Sequence, residues 1–165
     1  MYNRQSKLVF AVITAVFVLF GSSVFLSAAP AVQNGGNQAK DAQQLVAKAI
    51  DYIKANGKEK AYAEFTRNDT GQFKRGDLYV FVLTNDYRIA AHGANPKLMG
   101  KDLKELKDSN GKYFFKEMVD SGLKNGESWT DYMWTNPLTG KPAPKSSYVK
   151  KFDDKSVVGC GIYKK

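Results

Sequence analysis

The chain has 165 residues, a hydrophobic share of 43% and a formal net charge of +9 from 25 basic and 16 acidic side chains. That supplies apolar material for one ordinary domain plus an appendage, and excludes an intrinsically disordered chain. The positive balance favours anionic partners. Nucleic acid is not expected among them, because the lysines are scattered, arginine is limited to Arg4, Arg67, Arg75 and Arg88, and no basic run is long enough to track a phosphate backbone.

Residues 1–31 have the pattern of a targeting segment. Arg4 and Lys7 form a positive start, Leu8 to Phe20 is an apolar run, and Ala29-Pro30-Ala31 fits a small-residue cleavage site. The stretch 8–29 is also just long enough to span a bilayer. Two readings stay open: a cleaved signal peptide that leaves the chain periplasmic or secreted, or an uncleaved anchor that holds it on the inner membrane. Contact with a membrane is expected only in the second case. Removing Arg4 and Lys7 from the 25 basic residues leaves 23 against 16 acidic ones, a net +7 for the exported part. Residues 32–37, with Gly35-Gly36, read as a linker, and residues 38–165 as one domain.

From Gln38 to Asn56 apolar residues recur at spacings of three and four (Ala42, Leu45, Val46, Ala49, Ile50, Ile53), which predicts an amphipathic helix that Gly57 stops. A shorter helix is expected from Lys58 to Thr66, ended by Asn68-Asp69-Thr70-Gly71, with Arg75-Gly76-Asp77 as loop. Leu78 to Leu83 is apolar on both alternating faces and predicts a central strand covered on both sides. Tyr87 to His92 is the return strand, Gly93 to Gly100 a loop, and Asp102 to Leu106 one helical turn. Tyr113 to Leu123 predicts a helix with Phe114, Phe115, Met118 and Val119 inward. Two strand-like runs around Asn136-Pro137-Leu138-Thr139-Gly140 then form a hairpin, and Val157 to Tyr163 is the last strand after a tight turn at Asp153-Asp154. A long helix against a mostly antiparallel five-stranded sheet is an α+β, PAS-like arrangement.

The hairpin concentrates the aromatic residues. Trp129, Tyr132 and Trp134 lie on its first strand, and Lys145 and Tyr148 on its return. Rings beside one lysine suit a small, partly apolar pocket for an organic anion; the plainer reading is core packing and a solvated lysine. Strand alternation puts Tyr132 and Trp134 on one face and Trp129 on the other, which lowers Trp129 as a pocket residue. The single cysteine, Cys160, lies in an apolar run and reads as a core residue. Catalysis is not expected: a dyad of Cys160 with the sole histidine, His92, has no orienting motif, and no zinc, haem, P-loop or dinucleotide pattern is present, so no cofactor or metal is expected either.

The ordered set Ala91 to Leu103, Leu106-Lys107-Asp108, Asn110-Gly111-Lys112, Phe115 to Met118, Tyr132 to Pro137, Lys145 to Val149 and Val158 to Tyr163 resembles the single Cache domain of the second type. That is an extracytoplasmic sensor module of bacterial chemoreceptors and sensor kinases. The resemblance covers residue 40 onward. It implies a PAS-like sheet with one face on the long helix and a ligand pocket on the other, roofed by loops and a short helix. Short-chain carboxylates such as acetate, propionate, lactate or pyruvate are the implied ligands. The pocket positions it implies are His92, Trp129, Tyr132, Trp134, Lys145 and Tyr148, with Tyr79 and Arg88 as weaker candidates. Lys145 would supply charge, the hydroxyls of Tyr132 and Tyr148 and the His92 ring hydrogen bonds, and Trp134 an apolar wall. Gly159 and Gly161 would leave space for a ligand or for the long helix. Receptors of this type usually continue into a signalling domain; with Lys165 as the last residue, a membrane receptor or sensor kinase partner is the expected readout. The competing expectation is a structural or protein-interaction module without a small ligand.

Overall fold

The computed structural model describes residues 35–67 and 71–164. The targeting segment 1–31, residues 32–34 of the expected linker and the Asn68-Asp69-Thr70 turn lie outside the described residues.

The first helix, α1, runs Gly35–Asn56 and takes in the end of the expected linker. Its stripe is buried as the spacing requires: Ala42, Val46, Ala49, Ile50 and Ile53 lie in one apolar cluster. Gly57, at φ 79°, receives the chain where most side chains would be strained, and its N–H donates to the Ile53 carbonyl at 2.8 Å. The second helix, α2 (Lys58–Thr66), follows at once and buries Ala61 and Phe65.

The strands are β1 (Lys74–Arg75), β2 (Leu78–Thr84), β3 (Ile89–His92), β4 (Glu127–Thr135), β5 (Pro142–Asp153) and β6 (Ser156–Tyr163), with helix α3 at Phe114–Asn125. All pair antiparallel in the order β1-β2-β6-β5-β4, and β3 also pairs with β2. The sheet therefore has six strands rather than the expected five. The extra one is the two-residue β1, where Lys74 stands opposite Tyr79 in what the sequence suggested was loop. The strand β3 starts at Ile89 rather than Tyr87, because Tyr87 turns through φ 61°. Helical geometry also falls elsewhere in the next loop. Pro96–Leu98 forms a 3-10 turn, capped by the Asn95 side chain on Lys97 N at 3.2 Å. Asp102, expected in a helical turn, instead bridges to Arg88 and accepts from Lys104 N–H at 3.0 Å.

The uniform apolar run of β2 is explained by cover on both faces. Val80 and Val82 point into the cluster under α1 with Tyr148, Val158 and Cys160. Tyr79, Phe81 and Leu83 point the other way, into a second cluster with Phe114, Phe115, Met118 and Val119 of α3. The glycines of β6 make that second face possible. A side chain at Gly159 would collide with the Phe81 ring, and one at Gly161 with the Lys145 stem and the Ser147 hydroxyl. The space they leave is thus filled by the Phe81 ring, the Lys145 stem and the Ser147 hydroxyl, where the sequence suggested room for a ligand or for the long helix.

Candidate functional site

The α3 side of the sheet carries the site. At the end of β3, His92 is nearly fully buried. Its ring lies 4.9 Å from that of Tyr79 and 6.4 Å from that of Phe81. Its Nδ1 accepts from the N–H groups of Ala94 at 3.2 Å and Asn95 at 2.9 Å. This double acceptance fixes the neutral tautomer and leaves Nε2–H as a donor on the opposite edge of the ring. Burial, with the Lys145 ammonium nearby, lowers the imidazole to about 3, so the ring is neutral at any physiological pH. Glycine suits the following position: a Cβ at Gly93 would stand 3.0 Å from Tyr79 Cβ and 3.1 Å from the Phe65 carbonyl, so its neighbours would have to give by a few tenths of an ångström.

A cavity of about 340 Å³ opens beside this ring, lined by Tyr79, His92, Ala94, Asn95, Leu98, Trp134, Thr135 and Pro137. The floor comes from β2 and β3, one wall from the 3-10 turn, and the other from the end of β4 and the hairpin turn. Trp134 is held there by the α3 rings, 5.5 Å from Phe114 and 5.8 Å from Phe115.

Behind Tyr79 lies Lys145, only 1% exposed. Its Nζ donates to the Tyr79 hydroxyl at 2.6 Å and lies 4.0 Å from the centre of the Tyr79 ring and 4.7 Å from that of Tyr163. Among the described residues no carboxylate pairs with it. Burial without a counter-ion lowers the amine to about 7. The Tyr79 hydroxyl also meets that of Tyr163, which donates to the Thr135 carbonyl at 2.8 Å, so the polar line ends on the cavity wall. Lys145 and Tyr132 also border a second cavity of about 340 Å³, whose other walls include Asp108, Lys112, Asp131 and Lys164. Tyr132 stacks on Phe114 at 4.4 Å, and its hydroxyl shares a hydrogen bond with Ser147 Oγ at 2.9 Å. The Tyr79–Lys145 contact is the partition between the two spaces.

Of the eight residues expected to form a pocket, the fold brings together Tyr79, His92, Tyr132, Trp134 and Lys145. It does not bring Tyr148, Trp129 or Arg88 to them. Tyr148 lies on the α1 face, donates to Glu127 at 2.6 Å and sets its ring at a tilt 5.4 Å from that of Trp129, which is 39% exposed. Tyr148 is three positions on from Lys145, and an odd step along a strand reverses the face. Arg88 is exposed and clamps the neighbouring loop through the Gly100 carbonyl at 2.6 Å, with Asp86 at 3.4 Å and Asp102 at 3.8 Å. Tyr163 was missed by sequence reasoning; its position opposite Lys145 in the β5–β6 register is what places it. Cys160 and His92 occupy opposite faces of the sheet, so no dyad is built. Burial pushes the thiol up to about 12, which keeps it protonated. Among the described residues no cluster of metal-ligating side chains occurs.

The comparisons agree with this architecture. A chemotaxis receptor structure from Vibrio parahaemolyticus superposes with a TM-score of 0.67 at 24% identity, covering 78% of this chain and 89% of that one. The periplasmic sensor domain of a chemotaxis protein gives 0.60 at 27% identity, over 79% and 92% of the two chains. A Cache chemosensory domain described for its carboxylic acid recognition gives 0.62 at 25% identity, over 81% and 100%. In sequence, the methyl-accepting chemotaxis protein McpP of Pseudomonas putida is 31% identical over 88 residues, 53% of this chain but only 16% of that receptor's length. Among the described residues no helix is long and apolar enough to cross a membrane. The family model for Single Cache domain 2 matches residues 21–165, and with the PAS-like sheet and its covered pocket face this chain belongs to the single Cache domain 2 family of sensor modules.

Proposed function

We propose that this protein is an extracytoplasmic, non-catalytic sensor domain that binds a small monocarboxylate. The observation that carries the reading is Lys145: a buried amine, wedged between two aromatic rings, with no carboxylate partner among the described residues. A desolvated cation without a counter-ion is costly, and an incoming carboxylate offsets that cost with a charge-assisted hydrogen bond. The Lys145 head lies behind Tyr79, which lines this cavity, and borders the neighbouring one; His92 offers Nε2–H, and Trp134, Leu98 and Pro137 give an apolar wall for the rest of the ligand. Among the described residues neither a lysine or arginine nor a carboxylate lines that cavity directly, so Lys145 behind Tyr79 is the cation near it, which disfavours dicarboxylates and amino acids. One related Cache domain is described as recognising carboxylic acids, which supports the ligand class. Export by residues 1–31, as a cleaved signal or an inner-membrane anchor, and a readout through a membrane receptor or sensor kinase complete the proposal.

The test is a thermal-shift screen against acetate, propionate, lactate, pyruvate, amino acids, amines and purines. A ligand selective for the folded state adds about 2.7 kcal/mol at a hundred times its dissociation constant, which raises Tm clearly. A rise with a monocarboxylate that Lys145→Gln abolishes is expected. A rise only with amines or purines, or with no compound, overturns the reading.

A further inference from the structure

The amine that would meet the carboxylate has an unusual setting, and its neighbours decide how it can be charged. On β2, Tyr79 gives it a hydroxyl and a ring; on β6, Tyr163 gives it a second ring. On β3, His92 is the nearest other base, but its Nδ1 is already held by two backbone N–H groups. On β4, the Tyr132 hydroxyl is bonded to Ser147, and burial holds its phenol well above the ordinary range, so it brings no anion.

The acids nearby are committed elsewhere. Asp131 pairs with Lys164 at 2.7 Å. Asp108 accepts from the backbone N–H groups of Asn110, Lys112 and Met133, each at 2.9 Å. Asp77 favours the charged amine only at a distance, the Cys160 thiol stays protonated and brings no charge, and burial outweighs both. The two ring faces stabilise an ammonium weakly compared with a carboxylate in contact. Among the described residues the site is therefore shaped for a cation yet supplies no anion in contact with it.

We propose that ligand binding at this site is proton-linked: each monocarboxylate enters together with one proton from solvent, which is taken up by the Lys145 amine. This inference rests on the carboxylate-binding reading above. The balance is simple. In the empty site above neutral pH the amine is largely uncharged. The carboxylate adds a negative charge beside it, the amine takes a proton, and the bound state is a carboxylate–ammonium pair inside the protein. The proton does not go to His92, since protonating Nδ1 would break both of its backbone hydrogen bonds. Apparent affinity then stays level just below neutral pH and falls about tenfold for each pH unit above it. The protein responds to the product of carboxylate and proton activities. It senses an acid rather than an anion.

The experiment is calorimetric titration of the protein with propionate at about pH 8, in phosphate and in Tris, whose ionisation enthalpies differ greatly. The change of observed enthalpy with buffer enthalpy counts the protons taken up, and a value near one per ligand is expected. Propionate binding with a count near zero overturns the proton link and leaves the carboxylate reading intact. If neither propionate nor acetate, lactate or pyruvate binds, both fall together. A second measurement assigns the proton: carbon-13 NMR of the lysine Cε signals, with Lys145 identified from the Lys145→Arg spectrum. Its titration midpoint should lie near neutrality without propionate and rise by at least about two pH units with it. An unmoved midpoint beside a proton count of one places the proton elsewhere and overturns the assignment.

Discussion

Replacing Lys145 with methionine tests the energetic core of this reading without any ligand. Methionine keeps much of the length and removes the amine. In the unfolded chain the lysine titrates at its ordinary 10.5, whereas burial lowers it to about 7 in the fold. The sign follows from proton counts. Between those two values the unfolded chain holds a proton that the folded chain lacks, so raising the pH favours the fold. Below 7 both states are charged and the fold carries the whole desolvation cost, about 5 kcal/mol at 1.36 kcal/mol per pH unit. At pH 9 the fold is neutral but the unfolded state is still charged, and about 2 kcal/mol of that cost remains. Wild type should therefore gain about 3 kcal/mol relative to Lys145→Met between pH 6 and pH 9. Urea unfolding of both proteins at both pH values gives the number. Taking the difference between the two proteins cancels the tyrosines and carboxylates that titrate in each. A gap unchanged from pH 6 to pH 9 would refute the desolvated-amine argument. So would a wild type that loses ground to the variant as pH rises.

Other substitutions separate the two faces of the sheet. Gly161→Ala drives a methyl group into the Lys145 stem and the Ser147 hydroxyl; unfolding by urea should show a loss of about 1–3 kcal/mol, with ligand-induced thermal shift reduced. Trp134→Ala removes an apolar wall and should weaken propionate binding in calorimetry by at least about tenfold. The matched Trp129→Ala, on the exposed edge of the α1 face, should leave affinity unchanged. Cys160→Ala, under α1, should cost about 1 kcal/mol in urea unfolding and leave the ligand-induced thermal shift as it was.

Much of the fold was legible because burial enforces periodicity. The α1 stripe, the two-sided β2 run and the inward positions of α3 each follow from a single local pattern, and each is where the pattern put it. The local exceptions are backbone details without such a signal: the two-residue β1, the left-handed Tyr87 and the displaced helical turn. The site was legible in part. Alternation rightly separated Trp129 from Trp134. The same rule applied to β5 separates Tyr148 from Lys145, which the grouping of both as pocket residues overlooked. What the sequence could not supply is register. Tyr163 stands opposite Lys145 only because β5 and β6 pair through a shift between Lys151 and Asp153, and Tyr79 reaches the amine from 66 residues away.

Register also explains why this lysine is in so unusual a state. Lys145 lies on the covered face of β5, opposite Tyr132 on one side and Tyr163 on the other. Its stem needs Gly161 to pass, and its head ends on Tyr79. Each of these neighbours is neutral, and together they flank the lysine from three strands, β2, β4 and β6. A carboxylate supplied by one of these strands would satisfy the amine and remove its need for an incoming anion. The charge deficit is thus a property of the strand pairing as a whole. On the proposed reading, a carboxylate at this amine would be held by a β5 ammonium that already touches Tyr79 of β2 and Tyr163 of β6. The same contact would tie those three strands together, and above neutral pH would do so only when a proton arrives with the ligand.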